Sequence, residues 1–243
     1  MTEGIFKSKR TILENSIIES YFNENNELVK IEKFDKTNKK LKLSEITFKD
    51  NGRTPEKQIQ YEYNETNNKL IKTTTYNNNN NTITIEDIKN NRITTYNNNN
   101  NNNTVTIDDN ISNTITTETH HSNGKIKKRT IKDKKNNNII STRNFNENGI
   151  CTSATAYNTE GQKNFEREFY EDGEIVKCLH TYENGKRIKS ESFDKENNKI
   201  QEDTYCSFND TKIQQSTTYD PQTKMITKDV YLDGLGQIDR QVQ

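Results

Sequence analysis

The chain has 243 residues with 36 basic and 36 acidic side chains, and therefore carries no net charge. Only 27% of its residues are hydrophobic and none is Trp, whereas 38 are Asn and 31 are Thr. This composition excludes an enzyme with a thick two-layer core, because the chain has too little apolar surface to offset its conformational entropy. It also excludes a basic nucleic-acid reader and an acidic tail, since both depend on net charge.

The first residues show no targeting signal. Charged side chains at Lys7, Lys9, Arg10 and Glu14 interrupt the few apolar residues of the segment 1–20, so it lacks the apolar stretch of a secretory signal. No run of about 18 apolar residues predicts a membrane span. We therefore expect a protein that is cytoplasmic or exported by a signal-independent route, and the sequence does not decide between these locations.

An aromatic residue or an isoleucine returns about every 12 residues along the chain. We call these residues anchors. They are Phe22, Phe34, Phe48, Tyr63, Tyr76, Ile88, Tyr96, Ile107, Ile131, Phe145, Tyr157, Phe169, Tyr182, Phe193, Phe208, Tyr219 and Tyr231, with a weak position at Thr119. Most anchors are followed by a cluster of Asn, Asp or Gly, such as Asp50-Asn-Gly or Glu183-Asn-Gly. Such residues tolerate the left-handed backbone of tight hairpin turns.

This period predicts an all-β protein, an antiparallel β-hairpin repeat meander of about 17 strands whose sheet is either elongated or curled. Twelve residues minus a turn leave a strand of ordinary length, and a parallel sheet would need longer crossovers. We expect a repeat domain over residues 21–243, preceded by an N-terminal segment, residues 1–20, with an irregular strand or a short helix. Thr11-Ile-Leu-Glu14 fits a helix capping box, but Ile17-Ile18 before Phe22 copies the repeat and favours a strand.

Two further patterns support a repeat architecture. The segment Thr82-Ile-Thr-Ile-Glu-Asp87 returns 22 residues later as Thr104-Val-Thr-Ile-Asp-Asp109, which indicates a duplicated two-strand hairpin. The low-complexity, asparagine-rich runs at 77–81 and 97–103 begin directly after an anchor. We interpret them as lengthened surface turns, because a longer loop adds little entropy cost.

No pattern of chemically active residues indicates a catalytic, cofactor-binding or metal site, and we expect no enzyme activity and no cofactor. Adjacent His120 and His121 would point to opposite faces of a strand, and His180 stands alone. The three cysteines, Cys151, Cys178 and Cys206, are odd in number and widely spaced, which indicates neither a disulfide framework nor a zinc site. Most carboxylates lie in turns or alternate with basic residues, as in Glu166-Arg-Glu168, which is typical of a solvated face.

The repeated unit resembles the YD (Rhs-like) repeat family. The matching segments are Tyr61 to Tyr76, Tyr182-Glu-Asn-Gly-Lys-Arg-Ile188 and Tyr219-Asp-Pro-Gln-Thr-Lys-Met-Ile226, and Tyr231-Leu-Asp-Gly-Leu-Gly-Gln237 is similar to that family's Tyr-Asp-x-Leu-Gly-Arg signature. The signature is altered here, with an inserted Leu232 and with Gln237 where Arg is usual. The resemblance spans about residues 20–243 and implies a β-hairpin shell with a structural role. The chain carries no recognisable toxin segment.

The period is also similar to that of variant MORN-type repeats in bacterial antitoxin or immunity proteins. Those repeats are usually richer in Gly and Trp than this chain, which has 9 Gly. Two functions therefore compete. The first is a structural protein that acts through protein binding, and the second is an immunity or antitoxin protein that neutralises a partner toxin. A concentrated charged patch would favour the second, and a toxin gene beside this one would establish it.

We expect a protein partner or self-association through a sheet edge or face, with no nucleic acid and no membrane span. A meander leaves its first and last strands unpaired on one side, and unpaired edges recruit further strands unless charge or Pro protects them. Lys7, Lys9 and Arg10 protect the N-terminal edge near residues 5–12. The C-terminal edge, residues 230–242, is less protected, and we expect the contact to form there.

Overall fold

The computed structural model describes residues 7–98, 103–206, 209–233 and 236–240, and within them every regular element is a β-strand. The strands are β1 Lys7–Ile12, β2 Ser16–Phe22, β3 Leu28–Asp35, β4 Lys42–Phe48, β5 Pro55–Tyr63, β6 Leu70–Asn77, β7 Thr82–Asp87, β8 Arg92–Asn97, β9 Thr104–Asp109, β10 Thr114–His120, β11 Ile126–Asp133, β12 Ile139–Phe145, β13 Cys151–Tyr157, β14 Lys163–Phe169, β15 Val176–Glu183, β16 Lys186–Phe193, β17 Lys199–Cys206, β18 Asn209–Tyr219, β19 Ile226–Asp233 and β20 Gly236–Arg240. The all-β prediction is confirmed.

The chain divides into two compact units, Met1–Ile115 and Thr116–Gln243, and the division falls within β10. In the first unit, β1 to β9 pair in sequence order, each antiparallel to the next. In the second unit, β11 to β20 do the same. Each unit is therefore an antiparallel meander, as the even spacing of anchors and turns predicts.

The described residues form twenty strands, where about 17 were predicted. The anchors number eighteen when the weak position at Thr119 is included, and they correspond to the eighteen strands β2 to β19. The strands β1 and β20 add one at each end. The segment for which a strand or a short helix was expected forms β1 and most of β2. The anchor position Phe208 lies outside the described residues.

The turns explain why the chain contains so much asparagine. Among the described residues, nine non-glycine residues have positive φ, and eight of them are the asparagines Asn26, Asn68, Asn81, Asn91, Asn113, Asn137, Asn184 and Asn197. The short polar side chain of Asn makes this left-handed conformation less costly than for other L-residues. Asn or Asp side chains at the start of a turn also accept backbone N–H bonds, as Asp133 does from Lys135 and Asn136.

Several loops also contact the next loop at the same end of the strands. Asn138 in the β11–β12 loop donates a hydrogen bond to the carbonyl oxygen of Thr159 in the β13–β14 loop, and Asn123 donates to Glu147 in the same way. Gly173 shows how close this contact is, because a Cβ there would lie 2.6 Å from Ile150 Cγ2. Hydrogen bonds between these loops therefore add to the hydrogen bonds between the strands.

A shift of register accompanies the anchor in most hairpins. In the pairings from β2–β3 to β5–β6, from β11–β12 to β16–β17 and in β18–β19, the register shifts at or beside the anchor, as at Thr181/Tyr182. In β17–β18 it shifts on both sides of Tyr205. Such bulges bend a strand and increase its twist. No shift occurs in β6–β7, β7–β8 or β8–β9, the part of the sheet that contains the duplicated segments.

Few side chains are fully buried. Among the described residues, the buried hydrophobic side chains are Ile17, Tyr182 and Val230, whereas seven buried residues are polar or charged. All residues of β4 and of β17 are partly exposed, so neither face of these strands is covered by a second layer. The anchors are mostly half-buried at strand ends, and because successive strands are antiparallel they alternate between the two ends.

The Asn run at 77–81 occupies the end of β6 and the turn to β7, as predicted. Asn81 at its end has positive φ and donates through its side chain to the carbonyl oxygen of Asn98. Most of the second run, residues 99–102, lies outside the described residues.

The turn chemistry can be tested at Asn137, which has a φ of 60°. Replacing Asn137 with Ala should lower the free energy of unfolding by about 1 kcal/mol, because a β-carbon disfavours the left-handed region. Replacing it with Gly should have no such effect, since Gly adopts this conformation freely. Urea unfolding of both variants measures the difference, and equal stabilities would contradict the assigned role of the left-handed turn.

Candidate interaction surface

Each unit contains a cluster of paired charges, and the two clusters share the same cross-strand arrangement. In the first unit, Glu32 of β3 lies directly opposite Glu45 of β4, and Lys30 and Lys42 form ion pairs with both carboxylates. The four N–O distances lie between 2.5 and 3.7 Å. Two opposed carboxylates would repel each other, so the two lysines are what makes this cross-strand pair stable.

The second unit repeats the arrangement on β16 and β17. Glu191 lies opposite Glu202, and Lys189 and Lys199 each pair with both carboxylates at distances of 2.7 to 3.5 Å. Lys199 also lies over the ring of Tyr219, 4.8 Å from its centre. The pattern Lys-x-Glu on one strand and Lys-x-x-Glu on the next is common to both clusters.

Glu32 is the most strongly held carboxylate of these clusters. Burial alone would raise its pKa, but hydrogen bonds from Lys30, Lys42 and Tyr21 outweigh burial and lower the pKa to about 2. The Tyr21 hydroxyl donates to both Glu19 and Glu32. Burial and these carboxylates raise the pKa of Tyr21. Glu32 therefore remains ionised over the physiological range.

Tyr182 combines an aromatic anchor with a similar charge arrangement. It is 9% exposed, its hydroxyl donates to Glu166 at 2.7 Å, and Lys163 lies over its ring. Burial and Glu166 raise the pKa of Tyr182 to about 12. Arg187 of β16 lies opposite Tyr182 of β15 and over the ring of Tyr205 of β17. Together with Glu166 of β14, these side chains connect four neighbouring strands.

His180 lies in the same region, with neutral groups at its Nδ1 and the Glu168 carboxylate 3.8 Å from its Nε2. The Nδ1 atom of His180 is 2.7 Å from Ser190 Oγ and 3.8 Å from Cys178 Sγ. The Ser190 hydroxyl donates to the Tyr205 hydroxyl. Burial and the charge of Arg187 lower the pKa of His180, while burial raises the pKa of Cys178. At neutral pH these shifts favour a neutral imidazole beside a protonated thiol, which is a poor nucleophile.

The other histidines and cysteines are spread along the sheet. His121 Nε2 lies 2.9 Å from the carbonyl oxygen of Phe145, and His120 approaches Glu118 at 4.0 Å. The three cysteines are free. Cys178 lies opposite Ser192, which in turn lies opposite Gln201 on β17, so Cys178 is not level with Cys206 at the end of β17. Within the described ranges, no group of three or more His, Cys, Asp or Glu side chains is placed to hold a metal ion.

A row of arginines crosses the second unit without matching counter-charges. Arg129, Arg143, Ala154 and Arg167 lie directly opposite one another on β11 to β14, and we call them the arginine row. Arg129 binds Glu118 at 2.7 Å, but neither Arg143 nor Arg167 forms an ion pair within the described part of the chain.

The two terminal strands are paired on one side only, as far as the described residues show. β1 pairs with β2, and β20 pairs with β19. All six residues of β1 are exposed, and Arg10 forms an ion pair with Glu19. The predicted contact region at residues 230–242 includes part of β19 and all of β20, whereas residues 241–243 lie outside the described ranges.

Sequence reasoning did not identify the charge clusters or the arginine row. Strand register decides which of these residues lie opposite each other. The pairing of Glu32 with Glu45 and of Arg129 with Arg143 therefore follows only after the hairpin loops and bulges are placed. A usable signal does exist for the clusters, because Lys30-x-Glu32 and Lys42-x-x-Glu45 recur as Lys189-x-Glu191 and Lys199-x-x-Glu202.

The first cluster can be tested with a matched pair of substitutions. Glu32 and Glu62 each pair with a lysine ten residues later, but Glu32 is nearly buried and the side chain of Glu62 is 52% exposed. Glu32→Gln should lower the free energy of unfolding by about 1.5–3 kcal/mol. Glu62→Gln should lower it by less than about 0.5 kcal/mol. Urea unfolding at pH 7 measures both, and similar losses would contradict the model of a buried charge cluster.

The same variant has a defined pH dependence. The pKa of Glu32 in the folded protein, about 2, lies below its value of 4.5 in the unfolded chain. Its stabilising contribution is therefore complete above the unfolded value and is lost as the pH falls towards 2. The stability difference between wild type and Glu32→Gln should shrink over this interval, and a constant difference would contradict the assignment.

Tyr182 provides a third test, with Tyr96 as its exposed control. Tyr182→Ala should lower the free energy of unfolding by about 2–4 kcal/mol, because a large buried side chain is removed. Tyr96 is 37% exposed, and Tyr96→Ala should cost about 1 kcal/mol or less from lost cross-strand pairing. Thermal unfolding with a common reference temperature gives both values, and a loss below about 0.5 kcal/mol at Tyr182 would show that this anchor is not buried in solution.

Comparisons with known proteins leave the family open. No protein-family model matches the chain, and no curated protein is similar to it. Solved structures that resemble it include accessory secretory protein 1, 2 and 3 of Streptococcus pneumoniae, with 11% identity, a TM-score of 0.30, and coverage of 37% of this chain and 17% of the other. For S. aureus TarM the identity is 11%, the TM-score 0.28, and the coverage 51% and 21%.

A third similar structure is the Tc holotoxin pore of Photorhabdus luminescens, with 13% identity and a TM-score of 0.25. That likeness covers 93% of this chain but only 12% of the other, so the chain spans a small fraction of each of these three proteins. Scores this low support no functional argument. In the residues described, no helix is long and apolar enough to cross a bilayer. The structure establishes antiparallel β-hairpin repeats, and the YD and MORN resemblances remain hypotheses.

Proposed function

We propose that this chain is a non-enzymatic structural or interaction protein, built of YD-like β-hairpin repeats, that acts through the surface and edges of its sheet. The observation that carries the proposal is that β1 and β20 each have a single strand partner within the described residues. A strand paired on one side presents unused N–H and C=O groups to a further strand. Such an edge binds another chain without any specialised catalytic group.

The two edges differ in how they are protected. β1 carries Lys7, Lys9 and Arg10 in its exposed sequence, and charged side chains discourage pairing at an edge. β20 has the sequence Gly-Gln-Ile-Asp-Arg and pairs with β19 through residues 236–240. This contrast supports β20 as the edge that adds a strand, either from another protein or from a second copy of this chain.

The absence of a catalytic role is part of the proposal. The clustered carboxylates are neutralised in pairs by lysines, and the groups around His180 favour a neutral imidazole and a protonated thiol. Groups in these states stabilise a sheet without activating a substrate. An assay of general hydrolase activity that tracked Cys178 or His180 would overturn this part of the proposal.

A second candidate function is an immunity or antitoxin protein that binds and neutralises one toxin. The arginine row favours it, because a concentrated charge can recognise one partner in a chain whose overall charge is balanced. A toxin encoded in the neighbouring reading frame, bound by the purified protein, would replace the scaffold proposal with this one.

The edge proposal can be tested by exchanging the protection of the two edges. Replacing Gln237 and Asp239 of β20 with Lys should reduce self-association by about tenfold or more, because the edge becomes charged like β1. Replacing Lys7 and Lys9 of β1 with Thr should increase self-association. Sedimentation equilibrium of the full chain over a range of concentrations measures both changes.

A control variant separates edge effects from net charge. Lys57 lies on the interior strand β5 and is exposed, so Lys57→Thr removes a charge without altering either edge. It should leave self-association unchanged. If the Lys variant of β20 associates as strongly as wild type, the edge is not the contact and the binding surface lies on a sheet face.

A further inference from the structure

The arginine row lies in a basic area of one sheet face in the second unit. Arg143 and Arg167 are exposed, and Lys127 lies two residues before Arg129 on β11, a spacing that places it on the same face. The strand between the two arginines, β13, carries no charged residue. On β14, Glu166 and Glu168 flank Arg167 in the sequence, so their side chains lie on the opposite face of the sheet. On the face of the row, Glu118 binds Arg129, and Glu191 lies two strands from Arg167, beyond the uncharged Leu179.

This arrangement has no stabilising explanation. Arg129 and Arg143 lie directly opposite each other, and like charges at such positions destabilise a sheet. Elsewhere on the same sheet, like charges at opposed positions are neutralised, as Lys189 and Lys199 neutralise Glu191 and Glu202. The unpaired guanidinium groups therefore indicate a partner that supplies the missing negative charge.

The shape of the surface fits a small acidic group. Ser141, Ala154 and Ala156 form the floor of a shallow depression of about 180 Å³, which Arg143, Arg167 and Phe165 border. The two arginines lie two strands apart, about 10 Å between backbones, so both guanidinium groups can reach a group placed over Ala154. Arginine binds carboxylates with two parallel N–H bonds, which suits this geometry. Phe165 is 40% exposed and offers an apolar contact beside the charge.

We propose that the arginine row binds an acidic segment of a partner protein, with a carboxylate seated over Ala154 between Arg143 and Arg167 and an aromatic side chain against Phe165. A nucleic acid fits less well, because it needs a run of phosphate contacts. Here the basic area ends at β16, where Glu191 forms ion pairs with Lys189 and Lys199. The inference deepens the proposed function, since it specifies the chemistry of the partner that the sheet face would bind.

The test uses the full-length protein and a fluorescent peptide of repeated Glu-Tyr-Ser triplets. Fluorescence anisotropy should show binding that weakens as salt rises, and a peptide with Gln in place of Glu should not bind. The double variant Arg143→Gln, Arg167→Gln should weaken binding by about tenfold for each arginine, the loss expected for a charge-assisted pair. Because the opposition between Arg129 and Arg143 is removed, this variant should be at least as stable as wild type to heat.

A matched control removes the same charge from the first unit. Arg53 and Lys57 are exposed and lie outside the arginine row, so Arg53→Gln, Lys57→Gln should bind the Glu peptide as wild type does. Three outcomes would overturn the inference: no binding of the Glu peptide by wild type, equal weakening in both double variants, or tighter binding of an oligothymidylate than of the peptide.

Failure here is distinguishable from failure of the proposed function. Self-association through β20 is measured on the same Arg143→Gln, Arg167→Gln variant. If the wild type does not bind the peptide while edge association persists in the wild type and in this variant, only the acidic-partner inference is wrong. If both are absent in wild type, the interaction role itself is wrong.

Discussion

The structure depends on one constraint, which is that strands such as β4 and β17 have no second layer to pack against. Their side chains remain partly exposed on both faces, and the buried hydrophobic side chains of the described residues are Ile17, Tyr182 and Val230. Stabilisation must then come from within the sheet, through backbone hydrogen bonds and cross-strand side-chain pairs. Asn-rich turns, loop contacts and paired charges all serve this requirement. A composition poor in hydrophobic residues and rich in Asn and Thr excludes a conventional core, and it also supplies the turns and polar cross-strand pairs that strands without a second layer need.

Polar groups take the place that hydrophobic residues hold in a layered protein. Glu32, Thr74, Thr142, Thr155 and Ser190 are among the most buried residues of their strands. A buried charge is costly unless it is paired and hydrogen-bonded, and Glu32 meets this condition through two lysines and a tyrosine. Where the condition is not met, as at Arg143, the side chain stays exposed. The contrast between these sites separates charges that stabilise the sheet from charges that are available to a partner.

The sequence was sufficient to predict the repeat but not the surface chemistry. Turn-forming Asn, Asp and Gly after each anchor gave the strand boundaries closely, since those residues act locally through their own backbone conformation. The bulge beside Tyr182 was not predictable, because it depends on how β15 and β16 fit together across their hairpin. A one-residue shift decides which side chains meet. The arginine row therefore could not be read from the balanced totals of 36 and 36 charges, since Arg143 and Arg167 are 24 residues apart along the chain.

The strictly sequential strand order has a consequence for how the protein responds to force. In either unit, each strand is paired with the strands before and after it in the chain, so the first and last strands of that unit lie at opposite margins of its meander. Tension applied between those margins loads the hydrogen bonds one after another, as in a zipper, and does not shear many strands at once. Each unit should thus lengthen by one strand at a time under low tension and recover in the same small steps, because every repeat is stabilised by its neighbours alone.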